Sequence, residues 1–284
     1  MPPDSDSPMH TWSPEGITVT LDVEELEHPD GAQRVEPITD QLLGFFAERG
    51  VRVTAFIVGT LAAERPSLVR RIADGGHEIG LHGYEHRVLT SSDPRTFASS
   101  SRDARNRLAD LTGQEVHGFR APVFSLTPTT PWAPQAIADA GFRYSSSVLP
   151  THHPRANSGY RGAPRGPFRW ECGLVEMPCP VVGRVPVGGA YLRLMPAVVV
   201  DRMVRAIKGR APWLYVHPYD FDVEEAFSVL PDASWFESRL LFSRRKVMFS
   251  RVDRALRLGS GPTLGERVES LLASDQVAVW PSVR

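Results

Sequence analysis

Cysteine is scarce in this chain: Cys172 and Cys179 are the only two among 284 residues. Two thiols so placed exclude a disulfide framework and a cysteine-built zinc ribbon. No apolar run reaches the ~18 residues that a bilayer-spanning helix needs, so no transmembrane segment is expected. Neither sign of charge is in excess, with 32 basic against 33 acidic residues and a net charge of -1. That balance argues against a protein that works by coating nucleic acid or an anionic membrane. The N-terminal stretch 1–8 lacks the basic and apolar regions of a secretory leader, which makes the cytoplasm the expected location. What remains is an ordinary globular composition, 42% hydrophobic and 23% charged. The 25 prolines and 23 glycines point to many loops.

Residues 1–15, rich in Pro and Ser, read as a disordered tail. From Ile17 onward strands and helices alternate. Strands are expected at 17–21, 51–58, 77–82, 116–120, 142–146 and 213–217. Helices are expected at 35–49, from Pro66 to Gly75, at 94–111, 131–140 and 196–208. Residues 150–170 read as a long surface loop, and 171–195 as strands and turns. Such alternation implies a parallel sheet, open or closed into a barrel. Residues 235–258 read as a basic helix with Arg244, Arg245, Lys246, Arg251, Arg254 and Arg257. It is either a nucleic-acid or membrane patch or an amphipathic helix that buries Leu240, Leu241, Val247, Phe249, Val252 and Leu256. The neutral chain favours the packed helix.

Four polar clusters fall at the ends of these strands, where parallel α/β folds place their sites. In Asp22-Val23-Glu24-Glu25, the period of a strand puts Asp22 and Glu24 on one face. Two carboxylates there can divide the work of holding a metal and taking a proton. In His82-Gly83-Tyr84-Glu85-His86, two imidazoles four apart can share a cation on a helical turn. Gly118-Phe119-Arg120-Ala121-Pro122 puts a guanidinium at a strand end, where it can steer a carboxylate. In Leu214-Tyr215-Val216-His217-Pro218-Tyr219-Asp220, His217 is placed for general-acid work on a leaving amine.

Taken together, these motifs resemble the polysaccharide deacetylase family, also called carbohydrate esterase family 4 or the NodB homology domain. The resemblance covers about residues 17–260. It implies a distorted, incomplete (β/α)7-type barrel, here as residues 16–234, with 235–284 as a C-terminal helical extension packed on it. It also implies one divalent metal, foremost Zn²⁺, with Co²⁺, Mn²⁺ or Ni²⁺ as alternatives. The implied reaction removes an N-acetyl group from an amino sugar and releases acetate. By the family's pattern Asp22 is the base, His217 the acid and Arg120 the residue that orients the base. Glu24, His82 and His86 are the implied metal ligands, with Glu25 as a competitor for Glu24. Val187-Gly188-Gly189-Ala190-Tyr191-Leu192-Arg193 resembles a loop of a bacterial branch associated with exopolysaccharide and surface-glycan clusters. Pro122, Tyr144, Gly188, Gly189 and Tyr191 are the implied substrate contacts, with a backbone N–H near Tyr144 offered to the developing oxyanion. Ser145 stands where that branch usually has Asp.

Three other readings compete. An allantoinase-like amidohydrolase would use the same metal chemistry on small cyclic amides. An inverzincin peptidase would use His82 and His86 with Glu85 as base, although Gly83 argues against a catalytic helix there. A catalytically inactive glycan-binding relative would lack one of the six polar groups. The partner expected is an N-acetylated sugar or glycan, with no nucleic acid. Peripheral membrane contact through the basic helix is the minor expectation.

Overall fold

The computed structural model describes residues 12–26, 33–152, 159–209, 212–231, 233–275 and 277–280. In order, its elements begin with β1 (Trp12–Val23), α1 (Val35–Ala47), β2 (Thr54–Ile57), α2 (Gly59–Glu64) and α3 (Pro66–Asp74). They continue with β3 (Glu78–Leu81), α4 (Pro94–Thr112), β4 (Gly118–Phe119), α5 (Ala133–Asp139), β5 (Tyr144–Ser145), β6 (Phe168–Trp170) and β7 (Val175–Glu176). Next come β8 (Val181–Val182), β9 (Val185–Pro186), α6 (Gly189–Leu194), α7 (Ala197–Ile207) and β10 (Trp213–Val216). The chain closes with α8 (Trp235–Phe242), α9 (Met248–Leu256), α10 (Leu264–Ala273) and β11 (Val279–Trp280).

One sheet has the order β10-β1-β2-β3-β4-β5-β7-β6-β11. From β10 to β7 every pairing is parallel, which gives the seven parallel strands expected of the barrel. No ladder joins β7 to β10 among the described residues, so the barrel is incomplete. A single parallel bridge from Gly188 to Tyr215 covers the β10 side of that gap.

The period of two along each strand sorts the two faces. Ile17, Val19, Leu21 and Val23 face outward into a core with Leu42 and Phe46 of α1 and Val252 and Leu256 of α9. Thr18, Thr20 and Asp22 carry the opposite phase. Inside, Phe56, Tyr144, Trp213 and Tyr215 belong to a separate buried cluster. These rings need space that their neighbours give up. A Cβ on Gly118 would lie 2.3 Å from the Tyr144 hydroxyl, and one on Gly80 would lie 2.6 Å from the Phe56 ring.

The C-terminal part departs from a purely helical extension. β11 pairs with β6 inside the main sheet. Helix α10 seals the barrel at the N-terminal ends of its strands. There Leu264 and Val268 join the interior cluster. The Leu264 N–H donates to Thr54 Oγ1 (2.8 Å) and the Gly265 N–H to half-buried Glu78 (3.0 Å), which also accepts from the Tyr144 hydroxyl (2.7 Å). The expected basic helix is two helices, broken at Arg244 in the left-handed region (φ 58°). Its Leu240 is 36% exposed rather than packed, while Val252 and Leu256 are buried as expected.

Three further expectations differ. Strand β1 starts at Trp12, so 12–15 are not a tail, and residues 1–11 lie outside the described residues. The expected loop 150–170 contains β6 at its end, and its residues 153–158 lie outside the described residues. Helix α6 occupies 189–194, where strands and turns are expected.

Candidate metal and catalytic site

Because the N-terminal end of the barrel is sealed, the interior opens at the C-terminal ends of the strands. A cavity of about 160 Å³ lies there. Its walls include Asp22, Glu24, His82, His86, Arg120 and His217, so the structure brings all six residues singled out by the four motifs to one place.

Glu24 is the centre of the cluster. Its Oε2 lies 3.2 Å from His82 Nε2 and closer still to His86 Nε2. The three donor atoms all fall within 4.8 Å of one another. Glu24 Oε2 is buried, yet no group meets it with good hydrogen-bond geometry. His82 Nδ1 is 3.0 Å from the Arg120 carbonyl, which can only accept. That bond puts the proton on Nδ1 and leaves the Nε2 lone pair directed at the cluster. A carboxylate oxygen and two imidazole nitrogens converging without good mutual hydrogen bonds fit a divalent metal.

The charges are strongly coupled. Burial opposes ionisation of Glu24, but the charge of His86 and the close approach of the His82 and His86 ring nitrogens outweigh it and hold the carboxyl well below its usual range. Burial likewise disfavours the charged form of His86, and the Glu24 charge reverses that, so its pKa is raised.

The two imidazoles do not sit on a helical turn. Gly83 (φ 70°) and His86 (φ 54°) both take left-handed backbone, and this bend swings His86 back beside His82. Glu85 turns outward to pair with Arg87 at 3.0 Å, which removes the base that a peptidase reading requires. Glu25 is also turned away. It accepts from the Arg34 and Val35 N–H groups at the start of α1, which leaves Glu24 as the carboxylate at the cluster.

On one side of the cluster, Arg120 donates to Asp22 at 2.5 Å and to Thr20 Oγ1 at 2.8 Å. Its guanidinium is fully buried, 4.2 Å from the Phe56 ring centroid and 4.8 Å from that of Trp213. On the other side, His217 Nε2 stands 3.9 Å from Asp22 and 3.8 Å from Glu24. The sequence reading missed what holds His217. Its Nδ1 is 2.9 Å from buried Asp220, and Asp220 takes a further bond from Arg193 at 3.0 Å. Tyr219, also missed, stacks on His217 at 4.6 Å and donates to Glu24 Oε1 at 3.1 Å. Both follow directly after His217-Pro218 in the chain, and Arg193 ends the Gly-Gly loop, so proximity in sequence was the available signal.

Burial would lower the pKa of His217, but the hydrogen bond and charge of Asp220, then the charges of Glu24 and Asp22, raise it from 6.5 to about 9. Because the folded value is the higher, His217 contributes stability that is fully present below pH 6.5 and is lost as pH rises through about 9. In metal-stripped protein, the Tm advantage over His217→Gln is therefore expected to shrink between pH 6.5 and 9. A constant or growing advantage across that range would contradict the pairing.

The expected substrate contacts mostly lie elsewhere. Tyr144 faces the sealed end of the barrel, and its backbone N–H donates to the His117 carbonyl at 3.2 Å, so it has no N–H to offer an oxyanion. Pro122 packs behind the turn, where a Cβ on Gly83 would lie 3.1 Å from its ring. Gly188 presses on β10, where a Cβ would lie 2.2 Å from the Tyr215 ring, and Gly189 lies beside Tyr215 and His217. Neither glycine, nor Tyr191 on α6, is among the residues that line the cavity. The apolar part of the wall comes instead from Val123, Phe124, Leu149, Pro186 and Tyr215. Val123 (φ 56°) and Phe124 (φ 50°) take left-handed backbone that is strained for such residues, a feature that clusters at functional sites. Ser145 is fully buried and bonds to Ser147 Oγ at 2.7 Å.

The family model for polysaccharide deacetylase matches residues 16–145, and a domain of unknown function, DUF3473, matches residues 146–260. Among curated proteins, chitin deacetylase 1 of Cryptococcus neoformans is 25% identical over 119 residues, which is 39% of this chain and 25% of that protein. The chitooligosaccharide deacetylase of Sinorhizobium fredii is 33% identical over 99 residues, covering 34% of this chain and 45% of that protein. The chain thus spans less than half the length of these relatives. A solved Mycobacterium smegmatis protein assigned as a polysaccharide deacetylase superposes with a TM-score of 0.57 at 20% identity, over 98% of this chain and 97% of that one. That likeness establishes the shared fold.

Proposed function

We propose, from the premise that residues 16–145 belong to the polysaccharide deacetylase family, that this protein is a metal-dependent carbohydrate N-deacetylase. It removes an N-acetyl group from an amino sugar in a glycan or glycan precursor and releases acetate. The observation that carries this reading is one cavity in which Glu24, His82 and His86 converge, with Asp22 and His217 on either flank.

A divalent cation, foremost Zn²⁺, held by Glu24, His82 and His86 would supply Lewis acidity and an activated water. Asp22 takes the proton from the attacking water, and Arg120 fixes the orientation of its carboxylate. His217 delivers a proton to the departing amine. Asp220 and Arg193 hold its ring at the angle that transfer needs, because Asp220 accepts from both the ring and the backbone of His217. Val123, Phe124 and Leu149 give the acetyl methyl an apolar surface that excludes water. An inactive relative would lack one of these groups, yet all are present and adjacent. Among the described residues no helix is long and apolar enough to cross a membrane.

Tyr219 steadies the second oxygen of Glu24, the kind of outer bond that orients a metal ligand. Tyr219→Phe is expected to weaken metal affinity by roughly 10- to 100-fold, read by competitive titration with a chelating dye. Unchanged affinity would remove Tyr219 from that role.

The function is tested by acetate release from N-acetylated oligosaccharides and from lipid- and nucleotide-linked N-acetyl sugars, each with and without chelator. Chelator-sensitive acetate from one of these substrates is expected. No acetate from any substrate, or release that ignores chelator, would overturn the reading.

A further inference from the structure

The flank of the barrel holds a second cavity, of about 330 Å³, between α7 and α9. It shares no lining residue with the catalytic cleft. Four arginines line it, Arg205, Arg251, Arg254 and Arg257, with a single carboxylate, Asp201. Two of these charges are matched within the chain. Arg254 pairs with Asp201, and Arg257 pairs with Asp253 at 3.1 Å, a carboxylate that also serves Arg49.

Arg251 differs from them. It is only 7% exposed, and one of its amino groups donates to the Met195 carbonyl at 3.1 Å. Its Nε is buried with no hydrogen-bond partner. No carboxylate forms an ion pair with it among the described residues. Burial, with the charges of Arg244 and Arg254 added and only partly offset by that of Asp201, pushes its pKa below the ordinary arginine value. A guanidinium in that state is costly unless an anion answers it. Arg205, on the exposed face of α7, adds a further positive charge at the edge of the cavity. Of the basic-run arginines that line this cavity, Arg251 is the one that ion pairing among the described residues does not absorb.

We propose that the cavity is an anion site for a phosphate or diphosphate group, with Arg251 at its back and Arg205 and Arg257 at its mouth. Guanidinium forks match the oxygens of phosphate and give short, charge-assisted bonds. A space of about 330 Å³ is larger than one phosphate, so a diphosphate or a phosphate ester fits it. The chemistry is shared by a free phosphate compound and by a lipid headgroup. The proposal goes beyond the deacetylase reading and does not depend on it.

Two assays of the full chain separate the sources. Calorimetry with inorganic pyrophosphate reads the free anion, and cosedimentation with phosphatidylcholine vesicles, with and without phosphatidic acid, reads the headgroup. Binding is expected in at least one arm. Arg205→Gln, at an exposed position where folding is not at stake, is expected to weaken it about tenfold, as loss of a charge-assisted bond predicts. Arg251→Gln is expected to weaken it at least as much. His82→Ala is expected to bind like the parent protein, because the site is distinct from the metal cluster. Binding to phosphatidic acid vesicles alone, lost in Arg205→Gln, assigns the headgroup as the source and supports the site. No binding in either arm, binding that survives both arginine changes, or binding lost in His82→Ala overturns the proposal. Acetate release plays no part, so failure of the proposed enzyme activity would leave the test intact.

Discussion

His82→Ala is expected to lower acetate release by about 10³-fold or more, since metal assistance supplies several kcal/mol to such a reaction. The reason lies in how His82 is held. It is 2% exposed, and its Nδ1–H is committed to the Arg120 carbonyl. Its other nitrogen is therefore free to act only as a ligand toward the Glu24 cluster. Alanine would leave Glu24 and His86, two donors where three converge. It would also strand the Arg120 carbonyl, at a cost of about 1–3 kcal/mol. Three measurements separate these effects: acetate release, bound metal by emission spectrometry, and thermal unfolding. The expected variant is folded, somewhat less stable, and depleted of metal. If His82→Ala kept its metal and its rate, the ligand assignment would be wrong.

Arg120→Met is expected to cost about 3–5 kcal/mol of folding stability, the penalty for breaking a buried ion pair by removing one partner. Arg120 has no exposed surface, and Asp22 is 2% exposed. Without the guanidinium the Asp22 carboxylate would be buried beside Glu24, left only with His217 at 3.9 Å, whose charge already serves Asp220 and Glu24. The methionine would fill the space between Phe56 and Trp213, so the loss would report charge more than volume. Urea unfolding of Arg120→Met, Asp22→Asn and the double variant decides the matter. The double variant is expected to recover part of the loss, because it carries no unpaired buried charge. A cost below about 1 kcal/mol for Arg120→Met, or a double variant no better than it, would refute the electrostatic explanation.

The parts of the fold that the sequence revealed are those written in local periodicity. Ile17-Thr18-Val19-Thr20-Leu21 reads as a strand because its alternate residues meet different environments, and the structure shows just that division. The same alternation placed Asp22 and Glu24 on one face before any partner was known. Helix α4 was legible from its apolar stripe, and in the structure Gly113 ends it in left-handed backbone (φ 69°). Short strands such as β6 and β11 were not legible, since two or three residues carry no period and are stabilised by their neighbours.

The site divides along the same line. Sequence determined the chemical types available and their order along the chain: carboxylate, imidazole pair, guanidinium, imidazole. It also determined that each stood at a strand end. Only the tertiary structure decided which atoms meet. Glu24 and Glu25 are neighbours of identical chemistry, yet one faces two imidazoles and the other caps α1. Tyr144 reads as a substrate contact by its motif, but the inward phase of β5 and the gap left by Gly118 send its ring to Glu78. Arg193 and Asp220 are 27 residues apart and form one buried pair behind His217. Periodicity is a property of a single element and can be read along the chain. Convergence is set by strand register, by the left-handed turns at Gly83 and His86, and by the room left between packed rings, which exist only once the barrel has formed.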